Sequence, residues 1–426
     1  MKRDGSFAVL AGRDFRILFA SECVSVLGDA LVPVALAFDV LDLTGSASDL
    51  GLVLLSYLVP RVIFMLAGGV WADRLPHRRL MVCSHLARFG TQGAQGLLLV
   101  SGHATIWTLV GLQVARGTAA AFYRPAASAI VPTVVERAEL QPANALVWMA
   151  SNVSGIAGPA IAGLLVATVG SGWAILGDAA SFLVAALLLV RLHVVERERP
   201  TARRSFRREL AEGWGEVRAR TWVWASILYF ACFQLVYLSS FSVLGPVVSK
   251  RSLGGATAWA LIAAAAALGG LIGNASMLRL RPRRPLVFAY AVVLLTVPSL
   301  VLLALAAPAL LIAAAELAAG ISVGMASALW ETTLQRGVPA HALSRVIAYD
   351  QMGSIALRPI GLALVGPIVV AAGVRGTLLG AAAIVAAATA VLLWVPAIRA
   401  VRSDGPPAPA DARPPGGDRD PALNAG

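Results

Sequence analysis

Apolar residues in this chain gather into long runs separated by short polar breaks. Twelve such runs stand out, at about 15–40, 49–72, 80–101, 105–127, 146–168, 173–192, 222–249, 256–278, 286–306, 309–330, 352–372 and 377–396. A helical run of roughly 20 apolar residues crosses the hydrocarbon of a bilayer. The pattern therefore predicts an all-α polytopic membrane protein with twelve transmembrane helices. The sharpest break is Gly68-Gly69-Val70-Trp71-Ala72-Asp73-Arg74-Leu75-Pro76-His77-Arg78-Arg79. One apolar run stops there on Asp-Arg and the next restarts after Arg-Arg. That is a tight hairpin with a charged end, and its paired glycines permit close backbone approach.

The breaks sort by charge. Arg13, then Arg74, Arg78 and Arg79, then the Arg191–Arg220 segment, then Arg279, Arg281, Arg283 and Arg284, then Arg336 and Arg345, then Arg399 and Arg402 all fall on one side. Lys250, Arg251 and Arg375 fall on the other. Basic loops stay in the cytoplasm, so both termini are expected there. The longest break divides the chain into an N-terminal six-helix half (1–192), a basic linker with a short amphipathic helix (193–221), and a C-terminal six-helix half (222–402), followed by a disordered cytoplasmic tail (403–426). The halves repeat weakly. Pro76 within Leu75-Pro76-His77-Arg78-Arg79 recurs as Pro282 within Arg281-Pro282-Arg283-Arg284, 206 positions later. Pro132 after the fourth run recurs as Pro339 after the tenth, 207 positions later. Two nearly equal offsets point to a duplicated, pseudo-symmetric fold.

Composition agrees. Hydrophobic residues make up 58% and charged residues 14%, against about half and about a quarter in soluble domains. The net charge of +12 sits in loops beside spans, which favours topology over a nucleic-acid surface. Cys23, Cys83 and Cys232 are scattered within spans and form neither a disulfide framework nor a zinc spacing. Met1–Asp14 is polar and basic, so no cleavable leader is expected. There is no P-loop, His-Glu-x-x-His, Cys-x-x-Cys or Gly-x-Ser-x-Gly. An enzyme is not expected, and neither are catalytic residues, a metal or a cofactor.

Three stretches carry a family resemblance. Gly69-x-x-x-Asp73-Arg74 followed by Arg78-Arg79 is the first. Gly155-Ile-Ala-Gly158-Pro159-Ala-Ile-Ala162-Gly163 in the fifth span is the second, and Arg116-Gly117 in the fourth span is a weaker third. With the twelve-span pattern, they resemble the major facilitator superfamily, within it the branch of bacterial siderophore exporters and macrolide-type efflux pumps. The resemblance implies the major facilitator fold, in which spans one, four, seven and ten line a central cavity. It also implies a gating role for the first stretch: Asp73 is the acid that latches the halves in one conformation, with Arg74, Arg78 and Arg79 beside it. Pro76 stands where that signature has glycine. The second stretch is similar to the antiporter signature, with Gly155, Gly158, Pro159 and Gly163 in place and Ala162 for a glycine. Its small residues are expected to pack closely against a span of the other half.

An ionisable side chain near the bilayer centre costs about 2.5–3.5 kcal/mol, so it is rarely idle. Span one carries Glu22 and Asp29, seven residues apart and thus about 10 Å along one helical face. Arg61, His85, Arg88, Arg116, Asp178, Glu316 and Arg358 also fall within spans. The implied fold makes Glu22, Asp29, Arg116, Gln234 and Glu316 candidate cavity residues. A carboxylate whose arginine partner comes and goes between two conformations changes its affinity for a proton. Asp29 is read as the main proton carrier, Glu22 as secondary, Arg116 as the tuning partner and Glu316 as a further candidate. The competing readings are a fixed ion pair of Asp29 with Arg116 or Arg61, and a Glu22 merely solvated at the headgroups. Asp178 is read as structural. Tyr229, Phe233 and Tyr237, with Gln234, Arg61 and Arg358, are candidate substrate contacts. Trp173, Trp222, Trp224 and Trp259 lie near span ends, as interfacial anchors do.

The functional expectation is a secondary active transporter in the bacterial plasma (inner) membrane. It would export a hydrophobic or amphiphilic small molecule by alternating access, in exchange for protons. Its partners would be that substrate, protons and the lipid bilayer, with no nucleic acid, and it would act as a monomer. An importer of the same fold and a non-transporting membrane sensor or scaffold are the alternatives.

Overall fold

The computed structural model describes residues 8–136, 139–193 and 214–403, without the side chains of 8, 65–74, 141, 340, 341 and 344. Most of the expected linker and nearly all of the expected tail lie outside the described residues, as do the side chains of Gly69, Asp73 and Arg74.

Every regular element among the described residues is helical. The first six helices are α1 (Arg13–Thr44), α2 (Ala47–Arg74), α3 (His77–Val100), α4 (Ile106–Val134), α5 (Leu140–Thr168) and α6 (Ser171–Val190). Then come α7 (Thr221–Leu253), α8 (Ala256–Ser276), α9 (Pro285–Ala304), α10 (Ala309–Gly337), α11 (Ala340–Ile355) and α12 (Arg358–Trp394). In lipid a helix is one of the few ways to satisfy every backbone polar group within its own segment. The ends are closed locally. Gly45, at φ 65°, ends α1 and returns its N–H to the Leu41 carbonyl. A reciprocal Thr105–Thr108 capping box opens α4.

Nine segments among the described residues are long and apolar enough to cross a membrane. Two further helices, α3 and α4, have the length but carry more polar side chains. The segment over 345–394 is divided where Gly373 takes φ 70°, outside helical geometry. This arrangement is consistent with twelve passes. The gap expected between the last two runs, after 372 and before 377, holds Gly373, where the helix breaks. The eleventh run, at 352–372, starts inside α11 and continues into the first arm of α12. The chain is interrupted within it near 356–357 because Pro359 cannot donate a backbone N–H at that point.

Helices α1 to α6 pack mainly among themselves: α1 on α5 and α6, α2 on α4, and α3 on α4 and α6. Helices α7 to α12 do likewise, led by α8 on α10. That seam is backbone against backbone. A Cβ at Gly269, Gly273, Gly320 or Gly324 would lie 2.1–2.3 Å from a carbonyl oxygen of the facing helix. Between lipid-embedded helices there is little hydrophobic drive, so such close van der Waals contact supplies much of the association.

The two groups meet through α2 with α12 and α5 with α8. Gly51 lies against the Leu362 carbonyl, Gly366 against Ser48, and Gly163 against Ala260. At the same end Lys250 Nζ reaches Asp42 Oδ1 at 2.5 Å, and an Arg251 N–H donates to the Gly45 carbonyl at 3.4 Å. The end carrying the 44–47 and 250–255 turns is therefore drawn together.

Replacing Gly273 with Ala places a methyl 2.1 Å from the Ile321 carbonyl oxygen. The expected cost is about 1–3 kcal/mol of stability. Gly155→Ala meets nothing within 4 Å and is expected to leave the thermal unfolding midpoint unchanged or slightly higher. Melting curves of the purified proteins in detergent check both; equal midpoints would contradict the backbone seam.

Candidate functional site

Four helices bring charged groups together inside the first group. Asp29 on α1 faces two arginines. Its Oδ2 is ion-paired with Arg88 Nη2 from α3, and its Oδ1 lies 2.7 Å from Arg116 Nη2 on α4. The same Arg116 nitrogen lies 3.9 Å from Asp178 Oδ2 on α6. Asp178 also accepts a 2.6 Å hydrogen bond from the Gln92 amide on α3. Two cations thus balance two anions. Burial demands this balance, since an unpaired charge in a low-dielectric interior costs several kcal/mol. Aromatic faces complete the cage: the Arg88 guanidinium stands 3.8 Å from the Phe182 ring centre and that of Arg116 4.8 Å from Tyr57. Gln95 and Gln113 pair at 2.9 Å one layer further along α3 and α4.

Glu22 is buried, not solvated. It accepts a short hydrogen bond from the Tyr123 hydroxyl. Among the described residues it has no cation within ion-pair distance. The Tyr123 ring is tilted against His85, which in turn stacks on Phe182. Arg88 touches both rings, so Glu22 and Asp29 belong to one connected assembly.

Glu22, Asp29, Arg88 and Arg116 wall a cavity of about 970 Å³ between the two helix groups. Arg61 on α2, Arg358 on α12, Trp148 and Pro159 on α5, Phe241 on α7 and Trp259 on α8 share the lining. This is the size of a drug-binding cleft. Its walls are buried at Leu36, Leu58, Trp259 and Leu362, and exposed at Arg124, Ser128, Asn144 and Trp148. The cavity is closed at the end held by Lys250 and Asp42 and open at the opposite end. A second cavity of about 500 Å³ lies within the second group, lined by Tyr229, Phe233, Gln234, Trp330 and Asp350 among others.

Several sequence expectations change. Arg61 does not pair with Asp29, whose two oxygens are taken by Arg88 and Arg116; it donates to the Tyr57 hydroxyl at 3.3 Å. Glu316 lines neither cavity. It is sealed inside the second group, with the Tyr237 hydroxyl 3.3 Å from both its oxygens. Tyr237 is correspondingly buried and lines neither of these two cavities, and Tyr229, Phe233 and Gln234 face the smaller one. The aromatic stripe itself is real. Phe233 stacks on Tyr237 at 4.7 Å and Tyr237 on Phe241 at 6.0 Å, and Phe241 meets Trp259 at 4.9 Å. It turns inward, and α7 is wound as a π-helix at Gln234–Leu238. Trp222 and Trp259 are buried core residues, whereas Trp173 and Trp224 are exposed.

The small-residue stretch of α5 divides its contacts. Gly163 packs on α8 in the other group, Gly158 packs on Ala30 in its own, and Gly155 touches nothing. In the hairpin stretch, Arg78 donates to the Leu189 carbonyl at 3.0 Å and to that of Val190 at 2.5 Å. It thereby caps the electronegative C-terminus of α6. Arg79 is exposed.

Sequence reasoning noted Arg88 and Asp178 singly and missed the cluster with Gln92. The available signal was the spacing of His85, Arg88, Gln92 and Gln95, a polar stripe at three- and four-residue steps on one face of α3. All four are buried.

Comparisons with known proteins follow this geometry. The multidrug efflux pump Tap of Mycobacterium tuberculosis is 28% identical over 402 residues, covering 91% of this chain and 94% of that protein. Macrolide efflux protein A of Streptococcus pyogenes is 24% identical over 243 residues, 57% of this chain and 60% of that protein. Among solved structures, a bacterial homolog of the human lysosomal transporter Spinster, inward-facing and unoccupied, aligns with a TM-score of 0.70 at 16% identity, covering 93% of this chain and 98% of that one. A bacterial homologue of the iron transporter ferroportin, inward-facing, aligns at 0.68 and 17% identity, covering 89% and 98%. Those likenesses speak to the fold. The Major Facilitator Superfamily description matches residues 18–354, most of the chain. With its apolar helices, its two packed groups and its polar central cavity, the chain belongs to the Major Facilitator Superfamily, a multi-pass membrane transporter of small molecules and not an enzyme.

Proposed function

We propose that this transporter exports a drug- or macrolide-like amphiphile across a bacterial plasma membrane by alternating access, in exchange for protons. The efflux pumps it resembles over most of its length support the direction of transport. The observation that carries the coupling is the Asp29–Arg88–Arg116 cluster on the wall of a cavity open at one end. In this reading the chain acts as a monomer of two six-helix halves, 1–192 and 222–402, joined by the basic linker. The arginine-rich loops and both termini lie in the cytoplasm. The open end then faces the cytoplasm, where substrate enters.

The charges supply a mechanism. In the described conformation Asp29 neutralises two buried guanidiniums. A proton on Asp29 removes that negative charge and leaves Arg88 and Arg116 against Asp178 alone. The surplus cation destabilises this packing and favours a different arrangement of α1 against α3 and α4. Proton binding and the inward-open conformation are thus antagonistic, and exchange follows when the proton and the substrate compete for this one site. Glu22, held by a hydroxyl and no cation, is the second acid on the same helical face and passes the proton between Asp29 and the open end. Asp73 with Arg74, Arg78 and Arg79 acts as the latch of the opposite conformation.

Asp29→Asn is expected to lower proton-driven substrate uptake into everted vesicles, the equivalent of export from the cell, roughly ten-fold or more, while substrate counterflow without a gradient persists. Glu22→Gln is expected to do the same to a smaller extent. Export by Asp29→Asn at the wild-type rate, with its usual pH dependence, would remove Asp29 from the coupling. For the latch, Asp73→Asn is expected to raise labelling of cysteines placed in the open end of the cavity. Unchanged labelling together with unchanged export would refute the gating role.

A further inference from the structure

The cavity has more positive charge than its acids balance. Arg88 and Arg116 are matched by Asp29 and Asp178. Glu22 is engaged by the Tyr123 hydroxyl, with Arg124 close by along α4. Arg61 and Arg358 remain. Both line the cavity, and neither makes an ion pair among the described residues. The Arg61 guanidinium meets the neutral side chain of Tyr57, donating to its hydroxyl at 3.3 Å and lying 5.6 Å from its ring centre. Arg358 Nε is buried without a hydrogen-bond partner. Both guanidiniums belong to the lining of the same cavity. They come from different helix groups, Arg61 from α2 and Arg358 from α12, at the seam where those helices touch. Arg358 stands one turn before Leu362, whose carbonyl meets Gly51.

Two like charges on the wall of one cleft, neither ion-paired and one with an unsatisfied donor, are unfavourable until an anion enters beside them. Guanidinium forks suit planar or tetrahedral oxyanions, which accept paired N–H bonds. Around them stand Phe241, Trp259 and Trp148, flat apolar surfaces suited to a ring system. We propose that Arg61 and Arg358 form a two-point clamp for an anionic group of the substrate, a carboxylate, sulfonate or phosphate on an aromatic or amphiphilic body. This deepens the export reading and rests on the cavity being its substrate site. The clamp joins α2 to α12, so a bound anion cancels the repulsion between the two groups of helices where they hinge. Asp29 does not compete for Arg61, because its two oxygens are already engaged. The clamp favours acidic amphiphiles over cationic ones of equal size and shape.

Two xanthene dyes of similar body test this: carboxyfluorescein, an anion, and tetramethylrhodamine ethyl ester, a cation. Each is titrated against the purified full-length protein in nanodiscs of uncharged lipid, followed by dye anisotropy. The wild type is expected to bind carboxyfluorescein more tightly than the cationic dye, with affinity that falls as salt is raised. Arg61→Gln and Arg358→Gln are each expected to weaken carboxyfluorescein binding roughly ten-fold and to leave or improve binding of the cation. Arg61→Lys and Arg358→Lys keep the charge and are expected to retain most of the binding, which separates loss of the clamp from loss of the fold. Carboxyfluorescein binding that is equal in wild type and both Gln variants, or a wild type that prefers the cationic dye, would overturn the clamp. Binding needs neither a gradient nor a sidedness, so the result stands apart from vesicle export. A clamp that binds while vesicles export nothing would refute the export reading alone.

Discussion

One buried arrangement governs this protein: the carboxylate of Asp29 held between the guanidiniums of Arg88 and Arg116, with Asp178 balancing the second. The four residues stand on four different helices, α1, α3, α4 and α6. Charges taken out of water at such a site are tolerated only as a matched set; removing one member of a buried pair costs about 3–5 kcal/mol. The set therefore does two things. It fixes the mutual placement of four helices, together with the hydrogen bonds Gln95–Gln113, Glu22–Tyr123 and Gln92–Asp178 between them. It also makes that placement depend on the charge of a single carboxylate whose side chain is 35% exposed and lies on the cavity wall. Asp178, fully enclosed, cannot exchange with the cavity in the same way.

In the proposed mechanism the rest of the architecture converts that dependence into a change of access. At one end the two groups of helices meet backbone to backbone, Gly51 on Leu362 and Gly366 on Ser48, with Lys250 bound to Asp42 outside them. At the other end the cavity wall is exposed. Glycines at the α8–α10 seam, by contrast, join helices within one group and leave no room for sliding. Tight seams within each group and sparser contacts between them suit two bodies that rock about a central site. The uncompensated arginines Arg61 and Arg358 lie at the α2–α12 meeting line, where the charge of a ligand bears directly on how the bodies sit.

Much of this was legible in the chain. Apolar runs gave the helices, because membrane spans must be long and continuous. Glu22, Asp29 and Arg116 emerged as cavity residues, because charge within a span is costly enough to mark function. What was hidden was partnership. Nothing in the sequence of α3 says that Arg88 reaches Asp29 on α1, 59 positions away. Only the periodic polar stripe from His85 to Gln95 marked a buried face. Glu316 and Tyr237 misled for a related reason. A charge in a span must be satisfied, but a hydroxyl inside one helix group satisfies it as well as a water-filled cavity does. The interruption between α11 and α12 left no mark in the hydrophobic pattern, because apolarity continues through it while Pro359 breaks the backbone ladder.

The central claim, that the charge of Asp29 sets which end of the cavity is open, is tested most directly by distances measured across both ends. Spin labels at Leu43 and Thr257 report the closed end, and labels at Ser128 and Gln335 report the open end, in a protein without its native cysteines. In the wild type, lowering the pH is predicted to shorten the Ser128–Gln335 distance and lengthen the Leu43–Thr257 distance. Asp29→Asn is predicted to show the shifted distances at every pH. Wild-type distances indifferent to pH, or an Asp29→Asn protein that keeps the unshifted distances at high pH, would contradict the account.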